Sequence, residues 1–396
     1  MNPLRWAGRP EFFLPALTIL GALLLSSRAA PSQAVPPANP EPAVFGRIMR
    51  LDPRFDALLG IHARLQRVTG GHAWLEGPVW NSREGYLLYT DIPHNAVFKF
   101  APGHGPKLFL KPSGYSGDRP FAGKEPGANG LTFDAQGRLV LAEHGDRRVT
   151  RLEANGSRTV LADRYRGKRL NSPNDVVFKS NGDLYFTDPP FGLPGTFTDP
   201  ARELDFCGIY RLTRSGELTL LARDIGAPNG IAFSPDERTL YVTDVDPARP
   251  AWLAYDVQPD GTIANGRVLR AAGDWMRSRP GGPDGLKTDK AGNIFAAGPG
   301  GVYVFAPDGA HLGTIETGVA TSNVAWGEDG SVLYITASTA VYRIKLATYG
   351  AGFRPTSTRD HFRAPRRIRD GVLPVQAYRG SMVAGHHLPF NLRSNS

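Results

Sequence analysis

Six residues whose side chains end in oxygen recur at like places along this 396-residue chain. Glu76 opens "EGPVWNSREGYLLYTD", Asn129 opens "NGLTFDAQGRLVLAE" and Asn174 opens "NDVVFKSNGDLYFTD". Asn229 opens "NGIAFSPDERTLYVTD", Asp284 opens "DGLKTDKAGNIFAAG" and Asn323 opens "NVAWGEDGSVLYITA". Carboxylate and amide oxygens that converge on one point suit a hard cation such as Ca²⁺ or Mg²⁺. Taken singly, an Asn or Asp before a strand is explained by turn chemistry, since these side chains bond the local backbone and tolerate tight turns. Turn chemistry does not ask for Glu at the first position, so the set needs another explanation.

That explanation lies in the elements that carry them. Each polar residue leads into a short apolar strand, a turn rich in Gly, Asp or Asn, and a second strand. A third strand follows in every unit: "NAVFKF", "RRVTRL", "GIYRLT", "AWLAYDV", "GVYVFA" and "TAVYRIKL". The first five units add a fourth, such as "PKLFLK", "RTVLAD" and "LTLLAR". Four short antiparallel strands repeated six times predict an all-β, six-bladed β-propeller. A sandwich of two packed sheets would not account for six like-spaced units. The sixth unit ends near Leu346 without a fourth strand, and an open edge has to be covered. The segment "HARLQRVTG", ahead of the first unit, is predicted to supply the missing strand and close the ring.

In a propeller the first strand of each blade lines the central channel. The six polar residues are therefore expected to form a ring at one mouth. The second strand returns toward that mouth, which puts Asp91, Glu143-His144, Asp188 and Asp244 on its rim. His144 becomes a candidate for substrate contact or proton transfer, with an ordinary loop histidine as the competing reading. Asn129, Asn174 and Asp188 are read as substrate contacts.

The flanks read differently. Arg5 and Arg9 precede the apolar run Phe12 to Leu25, with Ser27-Arg28-Ala29 or Ser32-Gln33-Ala34 as cleavage sites. Residues 1–34 thus have the layout of a secretory signal peptide, which predicts a secreted or periplasmic protein without stable membrane insertion after cleavage. Residues 35–59 read as a Pro-rich linker and lead-in, 60–346 as the propeller, and 347–396 as a mobile basic tail. The formal net charge is +9. The tail holds eight Arg against Asp360 and Asp370, and the leader adds a little more, so the propeller itself is nearly neutral. A nucleic-acid face needs a basic patch on the domain, and that class is excluded. Cys207 is the single cysteine, so there is no disulfide framework and no cysteine zinc site.

The stretches "EGPVW", "NSPNDVVF", "FTDPPFGL", "GIYRL", "PNGIAFSPDERTLYVTD" and "PDGLKTDKAGNIFAAG" lie in order in four of the six units, from the first to the fifth. Together they make Leu65 to Leu346 resemble the gluconolactonase, senescence-marker-protein and regucalcin-like propellers. The resemblance implies a divalent cation in the central channel and hydrolysis of sugar lactones. It implies Ca²⁺ first, with Mg²⁺, Zn²⁺ and Mn²⁺ as alternatives. The family's metal-binding Glu falls on Glu76, its Asn on Asn229 and its Asp on Asp284. Asn174 matches the Asn that binds substrate or, in some relatives, the metal. Animal members carry an Arg where Ser172 stands, so one of their sugar contacts is missing here. The family assignment makes Asp284 the base for attack by water, with His144 in reserve; no "GxSxG" nucleophile is present. The alternatives are a hydrolase of other esters or organophosphates, and a non-catalytic propeller binding a sugar or protein.

Overall fold

The computed structural model describes residues 45–353 except Ile61. The signal-peptide reading of residues 1–34 therefore lies outside the described residues. Six antiparallel sheets of four or five strands form the six blades of a propeller. The first strands are Leu75–Asn81, Ala128–Phe133, Val176–Phe178, Pro228–Phe233, Leu286–Thr288 and Thr321–Gly327. Each of these contacts the first strand of the next blade, and the sixth contacts the first, so the inner strands close a circle.

Alternation along the strands explains how the blades stack. In the first blade, Leu87 and Tyr89 pack toward the sixth blade, whereas Tyr86 and Leu88 pack toward the second. In the third, Leu184 and Phe186 face the second blade and Tyr185 faces the fourth. A strand with period-two side chains that is covered on both faces must be apolar at nearly every position. The runs "YLLY", "LVLA", "LYF" and "VLYI" meet that demand. The core is accordingly divided into six apolar clusters, one at each blade–blade interface.

Closure follows the expected route. Gln66–Thr69 pairs antiparallel with Ala340–Lys345 and becomes the outer strand of the sixth blade. Two segments differ from the sequence reading. Within the expected lead-in, Arg47–Arg50 pairs with His311–Glu316 and gives the fifth blade a fifth strand. The helix Pro53–Leu59 follows, with Asp52 capping its first turn and Pro53 at its start. It buries Phe55 and Leu59 against the fifth and sixth blades. At the other end, residues 347–353 belong to the propeller. Ala347 N–H donates to Leu58 O at 2.7 Å, Thr348 Oγ1 donates to Asp289 at 2.9 Å, and Phe353 packs into two interface clusters. The remainder of the expected tail, 354–396, lies outside the described residues. No helix among the described residues is long and apolar enough to cross a membrane.

The circle closes tightly because glycine follows four of the six polar residues. A Cβ on Gly77 would come 2.0 Å from Asn129 O, and one on Gly230 would come 2.5 Å from Asp284 O. Gly77 also has φ +51°. Gly77→Ala is expected to lower stability by about 3 kcal/mol or more, combining backbone strain with a clash against a main-chain oxygen. Gly216→Ala, at a positive φ facing open space, should cost only about 1–2 kcal/mol. Urea unfolding of both variants checks the difference. A chain ended after Phe353 should unfold with the full-length protein, and one ended after Leu346 at lower denaturant.

Candidate metal centre and active site

The ring residues are brought together at one end of the inner strands by a continuous series of cross-blade contacts. Gly77 abuts Asn129, Gly130 N–H donates to Asn174 O at 2.7 Å, and Ile231 N–H donates to Asp175 Oδ2 at 3.4 Å. Gly230 abuts Asp284, Gly285 abuts the Asn323 side chain, and Asn323 Nδ2 donates to Glu76 Oε2 at 3.4 Å. Threonines of the second strands reinforce the circle: Thr90 Oγ1 donates to Asn129 O at 3.1 Å and Thr187 Oγ1 to Asn229 O at 2.6 Å.

The side chains so gathered are poor in partners. Glu76 is 3% exposed and accepts only the weak bonds from Gly77 N–H at 3.2 Å and Asn323 Nδ2 at 3.4 Å. Asp284 is partly buried and accepts from Gly285 N–H at 3.0 Å. Neither carboxylate is ion-paired to a cationic side chain among the described residues. Asn129 Oδ1 is buried without a hydrogen-bond partner. Asn174 and Asn229 are buried, and their contacts around the circle are made by main-chain atoms.

Burial pushes the Glu76 carboxyl up to about 8, and the charges of Asp175 and Glu125 add to the rise. Asp284 is raised well above the usual carboxylate range by burial first, then by Glu76, Asp175 and Glu125. Two acids driven upward, with no cationic side chain among the described residues paired to either, form a site short of positive charge. A divalent cation fits it, and the donor set of oxygens suits Ca²⁺ or Mg²⁺ better than Zn²⁺, which favours nitrogen and sulfur.

The rim carboxylates turn out differently from the sequence reading. Asp91 accepts from Ala73 and Trp74 N–H, both at 3.3 Å, and Asp244 from Ala227 N–H at 2.8 Å. Asp188 follows the same rule: it is fully buried and its Oδ2 accepts from Asn171 N–H at 2.8 Å. Each ties down the loop two or three residues ahead of a ring residue. Asp188 therefore fixes the approach to Asn174 through Oδ2, while its Oδ1 is buried with no hydrogen-bond partner among the described residues. Burial raises its carboxyl to about 7, against the pull of the Asn171 N–H. His144 is also fully buried, with Nδ1 3.0 Å from Glu125 Oε2.

Sequence reasoning passed over two acids. Asp175 occupies the place that glycine takes in four other blades, and the "ND" of "SPND" in place of "NG" was its signal. Glu125 sits in the 111–127 connection between the first two blades, where no repeat marks it.

The raised acids make stability depend on pH in a definite sense. Glu76 would ionise near 4.5 in the unfolded chain and near 8 in the folded one. Between those values the folded protein keeps a proton that the unfolded chain has released, so raising pH favours unfolding. In chelator, wild type should lose stability relative to Glu76→Gln from about pH 5 to 8, by on the order of several kcal/mol. Saturating Ca²⁺ should reverse the order, because only wild type keeps the carboxylate ligand. Urea melts of both proteins at each pH, with EDTA and with Ca²⁺, read this directly.

Known proteins share both sequence and fold with this chain. The SMP-30/Gluconolactonase/LRE-like region matches residues 74–339. A gluconolactonase of Zymomonas mobilis is 37% identical over 344 residues, which is 85% of this chain and 95% of the relative. The structure of a gluconolactonase of Xanthomonas campestris superposes with a TM-score of 0.66 at 33% identity, covering 79% of this chain and 99% of that one. The calcium-binding protein regucalcin of Agrobacterium tumefaciens shares the fold, with a TM-score of 0.57 at 21% identity over 73% of this chain and 96% of that one. With two thirds of its length matched by one family and its propeller shared with gluconolactonases, the chain belongs to the SMP-30/gluconolactonase/LRE-like family.

Proposed function

We propose that this gluconolactonase-like lactone hydrolase opens sugar lactones with the aid of a divalent cation held by Glu76, Asn174, Asn229 and Asp284, and that it works after export. The observation that carries the metal reading is the convergence of Glu76 and Asp284, both raised by burial and by each other's neighbourhood, without a cationic side chain to balance them. Two gluconolactonase relatives that span most of the chain support the substrate class. Export rests on Arg5, Arg9 and the apolar run that follows them.

A cation bound by these oxygens supplies polarisation of the lactone carbonyl and stabilises the negative charge that develops on it. The chain's own residues supply the rest. Asp284 is assigned as the base for the attacking water, the role that the family resemblance implies for it. Asn129 has a buried amide oxygen free to meet a sugar hydroxyl, and Asn174 shares that mouth. Asp188 acts behind them by holding the Asn171–Asn174 loop. Ser172 Oγ donates to Pro189 O at 2.6 Å and accepts from Gly192 N–H at 2.9 Å. That position therefore serves the loop and offers no cation to the substrate.

The purified protein should hydrolyse aldonolactones in Ca²⁺ or Mg²⁺, lose the activity in EDTA and regain it on adding cation. Chelator-resistant turnover would overturn the metal reading. Asp284→Asn should fold and lose about a hundred- to ten-thousand-fold in kcat even at saturating cation. Full rescue by excess cation would make Asp284 a ligand alone. Fractionation of expressing cells should find the protein outside the cytoplasm, with a new N-terminus after Ala29 or Ala34.

A further inference from the structure

His144 is left unexplained by the ring. Its imidazole is fully buried, yet neither nitrogen has a hydrogen-bond partner among the described residues. Leaving such a group dry costs about 1–3 kcal/mol, and buried polar groups are nearly always satisfied. The other charged groups of its turn are engaged elsewhere. Glu143 is bound by Arg148 and Arg158, and Asp146 by Ser116 and Arg148. Arg147 donates to the carbonyl oxygens of Leu170, Asn171 and Ala201. On the third blade, Gly192 closes against the His144 side chain without bringing charge, and Asp188 is held through Oδ2 by Asn171 N–H.

Glu125 is the group that remains. Its Oε2 lies 3.0 Å from His144 Nδ1, within ion-pair distance though not aligned as a hydrogen bond. Its side chain is 30% exposed, whereas the imidazole behind it is not exposed at all. Its charge also reaches Glu76 and Asp284. Glu125 thus meets a buried imidazole and adds its charge to the acids of the ring.

We propose that Glu125 is a catalytic acid for ring opening and that His144 is the positioning residue that shares its proton. The proposal rests on the lactonase reading above and assigns it a second proton transfer. Water forms the new C–O bond to the lactone carbonyl carbon as Asp284 takes its proton. The ring C–O bond then breaks, and the Glu125–His144 pair delivers its one proton to the departing ring oxygen. Exchange with solvent carries the proton from Asp284 back to the pair, so one water is consumed and a hydroxy acid is released. An alkoxide leaving group needs such a proton, and the ring residues offer none that is free of the metal site.

The test uses the full chain with Ca²⁺ and an aldonolactone that wild type hydrolyses. Glu125→Gln should lower kcat about a hundred-fold or more with KM little changed, Glu125→Asp should recover part of it, and formate should partly restore Glu125→Ala. His144→Gln should lower kcat less than Glu125→Gln does, with KM little changed. Calcium affinity by calorimetry should stay within about threefold in Glu125→Gln, the scatter expected of a charge change outside the ligand set. Unchanged kcat in Glu125→Gln, or a large loss of calcium affinity, would overturn the proposal. ¹⁵N spectra of the His144 imidazole are independent of turnover: they should change with Glu125→Gln, and unaltered nitrogens would refute the pair. If wild type opened no lactone, the lactonase reading would fall, and the spectra alone would decide whether the pair exists.

Discussion

Like charges converge at one end of this channel, and the propeller is built so that they cannot move apart. Glu76 and Asp284 each raise the other's proton affinity or feel it raised by Asp175 and Glu125, and no cationic side chain among the described residues is paired to either. At a given distance such repulsion grows several-fold as water is replaced by protein. In a flexible loop the side chains would swing outward into solvent. Here the main chain that carries them is held by its neighbours on both sides: Gly77 against Asn129, Gly230 against Asp284, Gly285 against Asn323. A side chain at any of these glycines would force adjacent blades apart and open the ring.

The rigidity of that ring comes from farther out. Each blade interface is an apolar cluster, and each strand contributes to the interfaces on both of its sides. Displacing one inner strand would disturb two clusters, and the closed circle passes the disturbance on. The seam between the first and last blades is secured from both ends of the chain. Gln66–Thr69 completes the sixth blade, and residues 347–353 fasten over it, with Ala347 bonded to Leu58 of the helix that follows the extra fifth-blade strand. Strand and helix ahead of the first blade therefore strengthen the fifth blade and its interface with the sixth.

Conserving charge at the mouth also requires its loops to be still. Asp91, Asp188 and Asp244 do this in three blades by accepting the N–H groups just ahead of Glu76, Asn174 and Asn229. They occupy like positions at the ends of second strands, and they do the same work. Acids at this end of the channel thus divide into those that fix loops and those, Glu76 and Asp284, left with only weak partners.

That division marks what the sequence alone determined. Polar starts, alternation along the strands and a tight turn after the first strand recur in every unit, so local patterning was enough to read them and to count the blades. The missing sixth fourth-strand pointed to Gln66–Thr69 because an open edge demands a partner. Ring membership of Glu76, Asn129, Asn174, Asn229, Asp284 and Asn323 followed from their shared offset. The tertiary structure decided what is not shared. The direction taken by the Asp188 carboxylate depends on a loop N–H that folds back to meet it, and sequence spacing carries no record of that. Asp175 substitutes for a glycine in one blade only. Arg47–Arg50 and residues 347–353 find partners more than two hundred residues or several loops away. Glu125 reaches His144 from a connection without any period. A repeat records the backbone geometry common to all blades, whereas a contact made once, between one loop and one buried side chain, exists only after the chain has closed on itself.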